Sequence, residues 1–305
     1  MKALVLGGNG FIGSHIVDQL LSEGHSVRVF DRGSERFRKP LARVDYRMAS
    51  LDDSSALAEA LEGIDVVYHL ISTTLPSTSN KDPVYDVESN LVGTIRLLNL
   101  MRDSNVRRIV YLSSGGTVYG IPDSSPIPED HRLQPICSYG IVKVAIEHYL
   151  QMYFHLYGIE YVALRASNPY GERQGHSGVQ GVIGTFMSKV LNGDQIEIWG
   201  DGSVVRDFIY ANDLAELCVQ VGVSNAVGVF NAGSGKGYSI KEVVNLFSSV
   251  SGKEIKPAYC SSRSYDVPQV VLDITKVESA FPWEPRTDLL EGMVETWVWA
   301  RSHVR

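Results

Sequence analysis

The chain has 305 residues, of which 44% are hydrophobic and 21% charged, and its formal net charge is -7. This composition is typical of a globular protein with one or two domains, and the negative charge argues against a nucleic-acid-binding protein. The three cysteines, at positions 137, 218 and 260, lack the spacing of a disulfide framework or a zinc site, so no metal site is expected. No segment has the pattern of a secretion signal or a membrane span, and we expect a cytoplasmic protein without a membrane partner.

The first 31 residues have the pattern of a strand–helix–strand unit. Residues 3–6 are apolar and predict a buried parallel strand. Residues 14–23 carry apolar side chains at helical spacing, and Gly24 ends this helix. Residues 26–30 predict a second strand, which is followed directly by Asp31. The unit therefore has the order and length of a nucleotide-binding βαβ motif.

Three glycines, Gly7, Gly10 and Gly13, lie between the first strand and the helix at GxxGxxG spacing. The first permits a tight turn, the second lets the backbone approach a pyrophosphate, and the third lets the helix pack against the strand. The helix N-terminus, at Phe11 and Ile12, would present backbone N–H groups and a positive dipole end to the same pyrophosphate. The sequence thus predicts a dinucleotide site at this loop.

Asp31 is placed to accept a hydrogen bond from an adenosine ribose hydroxyl. A carboxylate at this position repels a 2′-phosphate, which favours NAD over NADP. Arg32 follows it and leaves NADP open as the alternative cofactor.

Further strands are predicted at residues 64–70 and 108–112, with helical segments between and after them. This alternation predicts an α/β fold with a Rossmann-type, doubly wound parallel sheet. Ligands of such sheets bind at the carboxyl ends of the strands, so the hydroxyl groups of residues 113–117 are candidate functional groups. His69, at the end of its strand, is interpreted as a structural residue near the cofactor.

Tyr139 and Lys143 lie four residues apart on the next helix and therefore share one of its faces. An ammonium group near a phenol favours the phenolate and lowers the phenol pKa from about 10, so the pair is a candidate acid/base. A core tyrosine beside a solvated lysine would give the same pattern, and the pair gains its meaning from the dinucleotide site. The apolar face of this helix is wide enough for core packing and for a dimer surface, so we expect a homodimer.

Nearly the whole chain resembles the extended short-chain dehydrogenase/reductases, and most closely the nucleotide-sugar 4-epimerases. The matching motifs follow one another in order along the chain. They are the glycine loop with Asp31; residues 69–70, 90–94 and 113–120; Tyr139 with Lys143; residues 165–171, 200–202, 206–210 and 231–235; and Arg263 with residues 266–268.

The resemblance implies that Tyr139 is the acid/base, and that Lys143 holds the nicotinamide ribose and lowers the Tyr139 pKa. It also implies a hydroxyl group that shares the proton of the sugar 4-hydroxyl, supplied by Ser114 or Thr117, with Thr117 slightly favoured on reach. The implied NAD contacts beyond the glycine loop, Asp31, Arg32 and the Tyr–Lys pair are Leu51, Leu70, Asn90 and Ser113. The implied contacts of a UDP-sugar are Asn168, Arg206, Arg263, Asp266 and Val270.

The chain departs from its relatives in the segment after residue 112. Many relatives have Ser or Thr where this chain has Gly115, which is why the hydroxyl is assigned to Ser114 or Thr117. The 4,6-dehydratase relatives have an Asp–Glu pair where this chain has Gly116 and Thr117, so dehydration is disfavoured.

The implied activity is NAD-dependent 4-epimerisation of a UDP-hexose through a transient 4-keto sugar. Some relatives have a bulky Tyr where this chain has Val270, so we expect UDP-GlcNAc and UDP-GalNAc to be accepted alongside UDP-Glc and UDP-Gal. The alternatives are an NAD(P)-dependent 4-keto reductase, a dehydratase-like enzyme and a non-catalytic dinucleotide sensor, the last disfavoured because both Tyr139 and Lys143 are present.

Two domains are expected. Residues 1–166 would form the NAD-binding domain, and residues 167–305 a smaller C-terminal α/β domain for the nucleotide sugar. A segment near residues 208–231 would return to the first sheet.

Overall fold

The computed structural model describes residues 1–174, 181–261 and 267–303. Its largest sheet has seven parallel strands in the order β10-β6-β5-β4-β1-β2-β3, which confirms the predicted doubly wound α/β fold. The strands are β1 (Lys2–Leu6), β2 (Ser26–Asp31), β3 (Val44–Met48), β4 (Val66–His69), β5 (Arg108–Ser114), β6 (Glu160–Ala166) and β10 (Gly228–Ala232). Strand order reverses between β1 and β4, so their carboxyl ends face one crevice.

Helices cover both faces of this sheet, which explains why residues 3–6 are all apolar. Ala3 and Val5 pack with α1 (Phe11–Ser22) and α7 (Ala211–Val223) on one face. Leu4 and Leu6 pack on the other face with α2 (Ser54–Leu61), α4 (Gly93–Asp103) and α5 (Ser138–Tyr157). A short helix, α3 (Pro83–Asp86), leads into α4 through a π-helical turn at Val87–Val92. Both sides of each central strand are buried, as in other parallel sheets.

The rest of the chain builds a smaller α/β region with a separate apolar core. Its centre is β9 (Val205–Tyr210), which pairs with β7 (Asn168–Tyr170), β11 (Gly237–Ser239) and β13 (Gln269–Val270). A second pair joins β8 (Glu197–Trp199) to β12 (Ala258–Cys260). The helices of this region include α6 (Val182–Asn192), α8 (Ile240–Ser251) and α10 (Leu289–His303), whereas α9 (Thr275–Ala280) packs against β10 of the large sheet.

The chain crosses between the two regions more than once. After β9 it returns through α7, which packs against α1, to β10 at the edge of the large sheet. The predicted division of the chain after residue 166 stays a prediction. Within the described part of the chain, no helix is both long and apolar enough to cross a bilayer.

Candidate active site

The glycine loop has the shape that a dinucleotide pyrophosphate needs. Gly7 has φ 85°, a left-handed conformation that favours glycine, and its carbonyl accepts from the amide of Gly10 at 3.0 Å. A Cβ atom on Gly13 would overlap the carbonyl oxygen of Gly7, so helix and strand can approach only because residue 13 is glycine. No side chain caps the N-terminus of α1 and no acidic residue occupies its first turn. This helix end, at Phe11 and Ile12, is therefore suited to a bound anion.

The Asp31 carboxylate is held at the end of β2. Its Oδ2 accepts from the amide of Asn9 and its Oδ1 from the amide of Gly33, both at 3.1 Å. Asn9 Nδ2 also donates to the carbonyl of Gly33 at 2.7 Å, which closes the turn. The carboxylate is therefore oriented before a ribose arrives. Arg32 is exposed beside it.

Two predicted cofactor residues, Leu70 and Leu51, contact the glycine loop and α4, respectively. Leu70 extends the pairing of β4, because its amide donates to the carbonyl of Leu6 at 3.1 Å. The backbone of Leu70 and the following Ile71 lies against Gly7. Leu51 is buried against Gly93, the first residue of α4.

His69 has a structural position, as its interpretation from the sequence proposed. The Thr94 hydroxyl donates to the carbonyl of Asn90, so it accepts from His69 Nε2 at 2.8 Å. Burial lowers the pKa of His69 to about 3, and the charge of Lys143 adds to this effect. A neutral imidazole in this position supports the turn around Asn90 and is a poor proton donor.

Tyr139 and Lys143 lie together at the carboxyl end of β5. Lys143 is buried, its Nζ donates to the carbonyl of Leu112 at 2.8 Å, and it lies 5.4 Å from the Tyr139 ring centre and 4.7 Å from the Tyr111 ring centre. An ammonium group between two aromatic faces is stabilised by their negative faces. Even so, burial lowers the pKa of Lys143 to about 8, against the opposing charges of Glu147 and Asp86.

Lys143 was expected to lower the pKa of Tyr139, but in the protein alone this pKa is raised. Burial raises the pKa of Tyr139 to about 12, and the neighbouring Cys137 and Asp86 add to the rise, while a hydrogen bond with Ser72 opposes it. The reason is that burial disfavours the phenolate, and Lys143 directs its ammonium group to the Leu112 carbonyl.

The N-terminus of α5 is fixed by a buried carboxylate that the sequence did not single out. Asp86 is completely buried and accepts from the Ser138 hydroxyl at 2.6 Å and from Asn90 Nδ2 at 2.9 Å. The Tyr139 amide donates to Ser79 Oγ at 3.1 Å. The predicted cofactor residue Asn90 thus supports the loop and helix around Tyr139.

A second buried carboxylate, Glu147, lies one helical turn beyond Lys143. Its side chain accepts from Arg165 Nη2 at 2.7 Å and Nε at 3.2 Å, and both side chains are 4% exposed. The hydroxyl of Ser113, a predicted cofactor residue, donates to the same carboxylate. The spacing of Tyr139, Lys143 and Glu147 along one helix face was a signal that could have identified Glu147 from sequence.

The two candidate hydroxyl groups, Ser114 and Thr117, lie in the turn after β5. The amide of Thr117 donates to the carbonyl of Ser114 at 3.3 Å. The carbonyl of Thr117 would lie 2.8 Å from a Cβ atom on Gly140, so the turn packs against the helix residue next to Tyr139. Thr117 Oγ1 is buried and has no hydrogen-bond partner among residues 1–174, 181–261 and 267–303.

Three predicted substrate residues, Asn168, Arg206 and Val270, lie on or beside β9. Asn168 Nδ2 donates to the carbonyl of Asp207 at 2.7 Å. Arg206 Nη1 donates to the carbonyl of Val267 at 2.7 Å. Val270 pairs in register with Arg206 across the parallel strands β13 and β9 and is 3% exposed.

The other two predicted substrate contacts, Arg263 and Asp266, lie outside the described residues. They stay predictions from the sequence.

Comparisons with known proteins agree with this geometry. The family model described as "NAD dependent epimerase/dehydratase family" matches residues 3–233. A putative UDP-glucose 4-epimerase of Methanocaldococcus jannaschii is 37% identical, over 99% of both chains. The UDP-glucose 4-epimerase of Thermotoga maritima, solved with UDP-glucose, has a TM-score of 0.95 and 32% identity, over 100% of both chains. The UDP-N-acetylglucosamine 4-epimerase of Methanobrevibacter ruminantium, solved with UDP-N-acetylmuramic acid, has a TM-score of 0.93 and 30% identity, over 99% of this chain and 98% of that one.

These matches extend over both regions of the fold, and the first region contains the glycine loop and Asp31, which fit NAD. The resemblance identified from the motifs is therefore confirmed, and NAD is the cofactor. The chain belongs to the NAD-dependent epimerase/dehydratase family.

Proposed function

We propose that the protein interconverts UDP-hexoses at C4 through a transient 4-keto sugar, with NAD as a tightly held cofactor. The observation that carries this proposal is the position of Tyr139 and Lys143 at the carboxyl end of β5. This is the same edge of the parallel sheet as the glycine loop after β1, with only β4 between the two strands. The relatives named as UDP-glucose 4-epimerases, similar over the full chain, support the same reaction.

In this mechanism Tyr139 is the acid/base for the proton of the sugar 4-hydroxyl, and a hydroxyl group of Ser114 or Thr117 shares that proton. Bound NAD supplies the acceptor and donor of hydride at C4, together with a positive ring charge that favours the Tyr139 phenolate. Lys143 holds the nicotinamide ribose, and the glycine loop and Asp31 hold the rest of the dinucleotide. Asn168 and Arg206, with Arg263 and Asp266, hold the uridine diphosphate while the sugar turns over.

The fork of an arginine suits the diphosphate because it makes paired, charge-assisted hydrogen bonds. Arg206 is held in β9 by its bond to the Val267 carbonyl, on a strand that is paired on both sides. The end of the substrate that must stay fixed is thus bound from a rigid element.

The reaction is tested by incubating the purified protein separately with UDP-Gal, UDP-GalNAc and UDP-GlcA and separating the products. We expect the first two to reach an equilibrium with their 4-epimers and the absorbance of reduced cofactor to show no net change. A net formation of reduced cofactor from added NAD, which is the reverse of keto reduction, would instead identify a 4-keto reductase. The dehydratase alternative lacks support, because Gly116 and Thr117 provide no acid and base for the removal of water.

Val270 is proposed to leave room for an N-acetyl group, and the solved UDP-N-acetylglucosamine 4-epimerase supports this extension. Val270→Tyr should lower kcat/KM for UDP-GalNAc by about tenfold or more, because the larger ring fills the space beside Arg206. UDP-Gal turnover should fall much less. Val270→Ala is the matched control and should retain both activities. Equal losses for both sugars in the Val270→Tyr variant would contradict the proposal.

We also propose that the protein is a homodimer. One face of α5 exposes Ile141, Met152 and Leu156, each between 40% and 57% exposed. Adjoining this helix, the segment of α3 and the π-helical turn exposes Val84, Tyr85 and Val87. Apolar side chains clustered on neighbouring helices favour contact with a second copy.

A further inference from the structure

The turn after β5 contains two consecutive glycines with different surroundings. A Cβ atom on Gly115 would lie 2.5 Å and 2.9 Å from the two methyl carbons of Leu272, and 3.0 Å from the carbonyl oxygen of Arg165. The nearest atom to a Cβ on Gly116 would be Ser114 Oγ, at 4.0 Å. Position 115 is therefore closed to a side chain, whereas position 116 is open.

Leu272 is held firmly in this place. It is completely buried, its amide donates to the buried carboxylate of Asp207 at 3.3 Å, and it forms a parallel bridge with Ile127. The next amide, of Asp273, donates to the carbonyl of Ile127 at 2.9 Å. A side chain in so close-packed a core has little room to withdraw from Gly115.

The hydroxyl of Thr117 lies two residues further along the same turn. Thr117 packs against Gly140, which adjoins Tyr139, and its Oγ1 is a buried polar atom without a partner among the residues that the structure describes. A buried hydroxyl group without a partner destabilises the folded protein unless a ligand completes its hydrogen bonding.

We propose that Leu272 decides which hydroxyl group serves the reaction. By filling the space above Gly115 it excludes a hydroxyl side chain there, and Thr117 then relays the proton: its Oγ1 accepts the proton of the sugar 4-hydroxyl and passes its own to Tyr139 Oη. Thr117 thus has the same protonation state before and after the transfer. Leu272 is a positioning residue, because it acts through the turn. This inference rests on the proposed function.

The steric part is tested by thermal unfolding, without any substrate. Gly115→Ser should lower Tm by several degrees when Leu272 is present, and should leave Tm unchanged or raise it in a Leu272→Ala background. Gly116→Ser is the matched control and should have a small effect in both backgrounds. Equal losses of Tm from Gly115→Ser in both backgrounds would overturn the steric relation.

The chemical part is tested by moving the hydroxyl group. Thr117→Val should lower kcat by about 10²-fold, and by more than Ser114→Ala does. In the Leu272→Ala/Thr117→Val background, adding Gly115→Ser should restore kcat by about tenfold. In the Thr117→Val variant that retains Leu272, adding Gly115→Ser should not restore kcat.

A folded triple variant that is no faster than Leu272→Ala/Thr117→Val would overturn the proposal, as would a larger loss from Ser114→Ala than from Thr117→Val. The wild-type assay tests the proposed function separately. An inactive wild-type protein would refute that function and with it the role of Thr117, while the Tm measurements would still decide the relation between Leu272 and Gly115.

Discussion

Tyr139→Phe should lower kcat by about 10²–10⁴-fold, the usual contribution of a positioned acid/base, with little change in substrate affinity. The substitution removes only the hydroxyl group that is proposed to exchange the proton of the sugar 4-hydroxyl. The ring that packs beside Lys143 is retained, so the lysine should keep its place. Initial rates with UDP-Gal, together with the Kd of the nucleotide sugar by calorimetry, measure the two quantities.

Tyr153→Phe is the control for this experiment. Tyr153 lies on the same helix, and its hydroxyl donates to Asn99 at 2.9 Å, away from the Tyr139 site. Its loss should leave kcat close to the wild-type value. A Tyr139→Phe enzyme that turned over as fast as Tyr153→Phe would exclude Tyr139 as the acid/base.

Glu147→Gln should lower the free energy of unfolding by about 3–5 kcal/mol, because it leaves the Arg165 cation buried without its counter-charge. The side chains of Glu147 and Arg165 are each 4% exposed, and Arg165 donates to both carboxylate oxygens. Guanidinium chloride denaturation of the wild type and the variant gives the difference directly.

Two further variants separate the charge effect from a general loss of packing. Asp103→Asn removes the partner of Arg102 in an exposed ion pair and should leave the free energy of unfolding near the wild-type value. Glu147→Gln combined with Arg165→Gln should be less destabilised than the sum of the single variants. If Glu147→Gln proved as stable as Asp103→Asn, the buried pair would have no special role in stability.

The glycine loop could be predicted from sequence because its determinants are local. The spacing of Gly7, Gly10 and Gly13 between a strand and a helix specifies one turn, and the structure shows why Gly13 admits no side chain. The Tyr139–Lys143 pair could be predicted for the same reason, since helical spacing alone places both residues on one face.

The residues that hold the site in place could not be predicted in this way, because they come from segments that are distant in sequence. Asp86 meets Ser138 across 52 residues, and Leu272 contacts Gly115 from the C-terminal part of the chain. Sequence spacing contains no information about such contacts. The predicted lowering of the Tyr139 pKa was wrong for the protein alone, and for a related reason. The sequence shows which charged residues are near, whereas the burial that raises this pKa depends on the whole fold.

The large sheet is complete at β10, which ends at Ala232, yet Leu272 belongs to a segment that follows it. A chimera that kept the sheet and exchanged the C-terminal segment to recruit a different sugar would therefore also replace the residue above Gly115. With the role proposed for Leu272, substrate range and proton transfer are not independently exchangeable in this protein. In the design of any such chimera, the amino acids at positions 115, 117 and 272 have to be selected together.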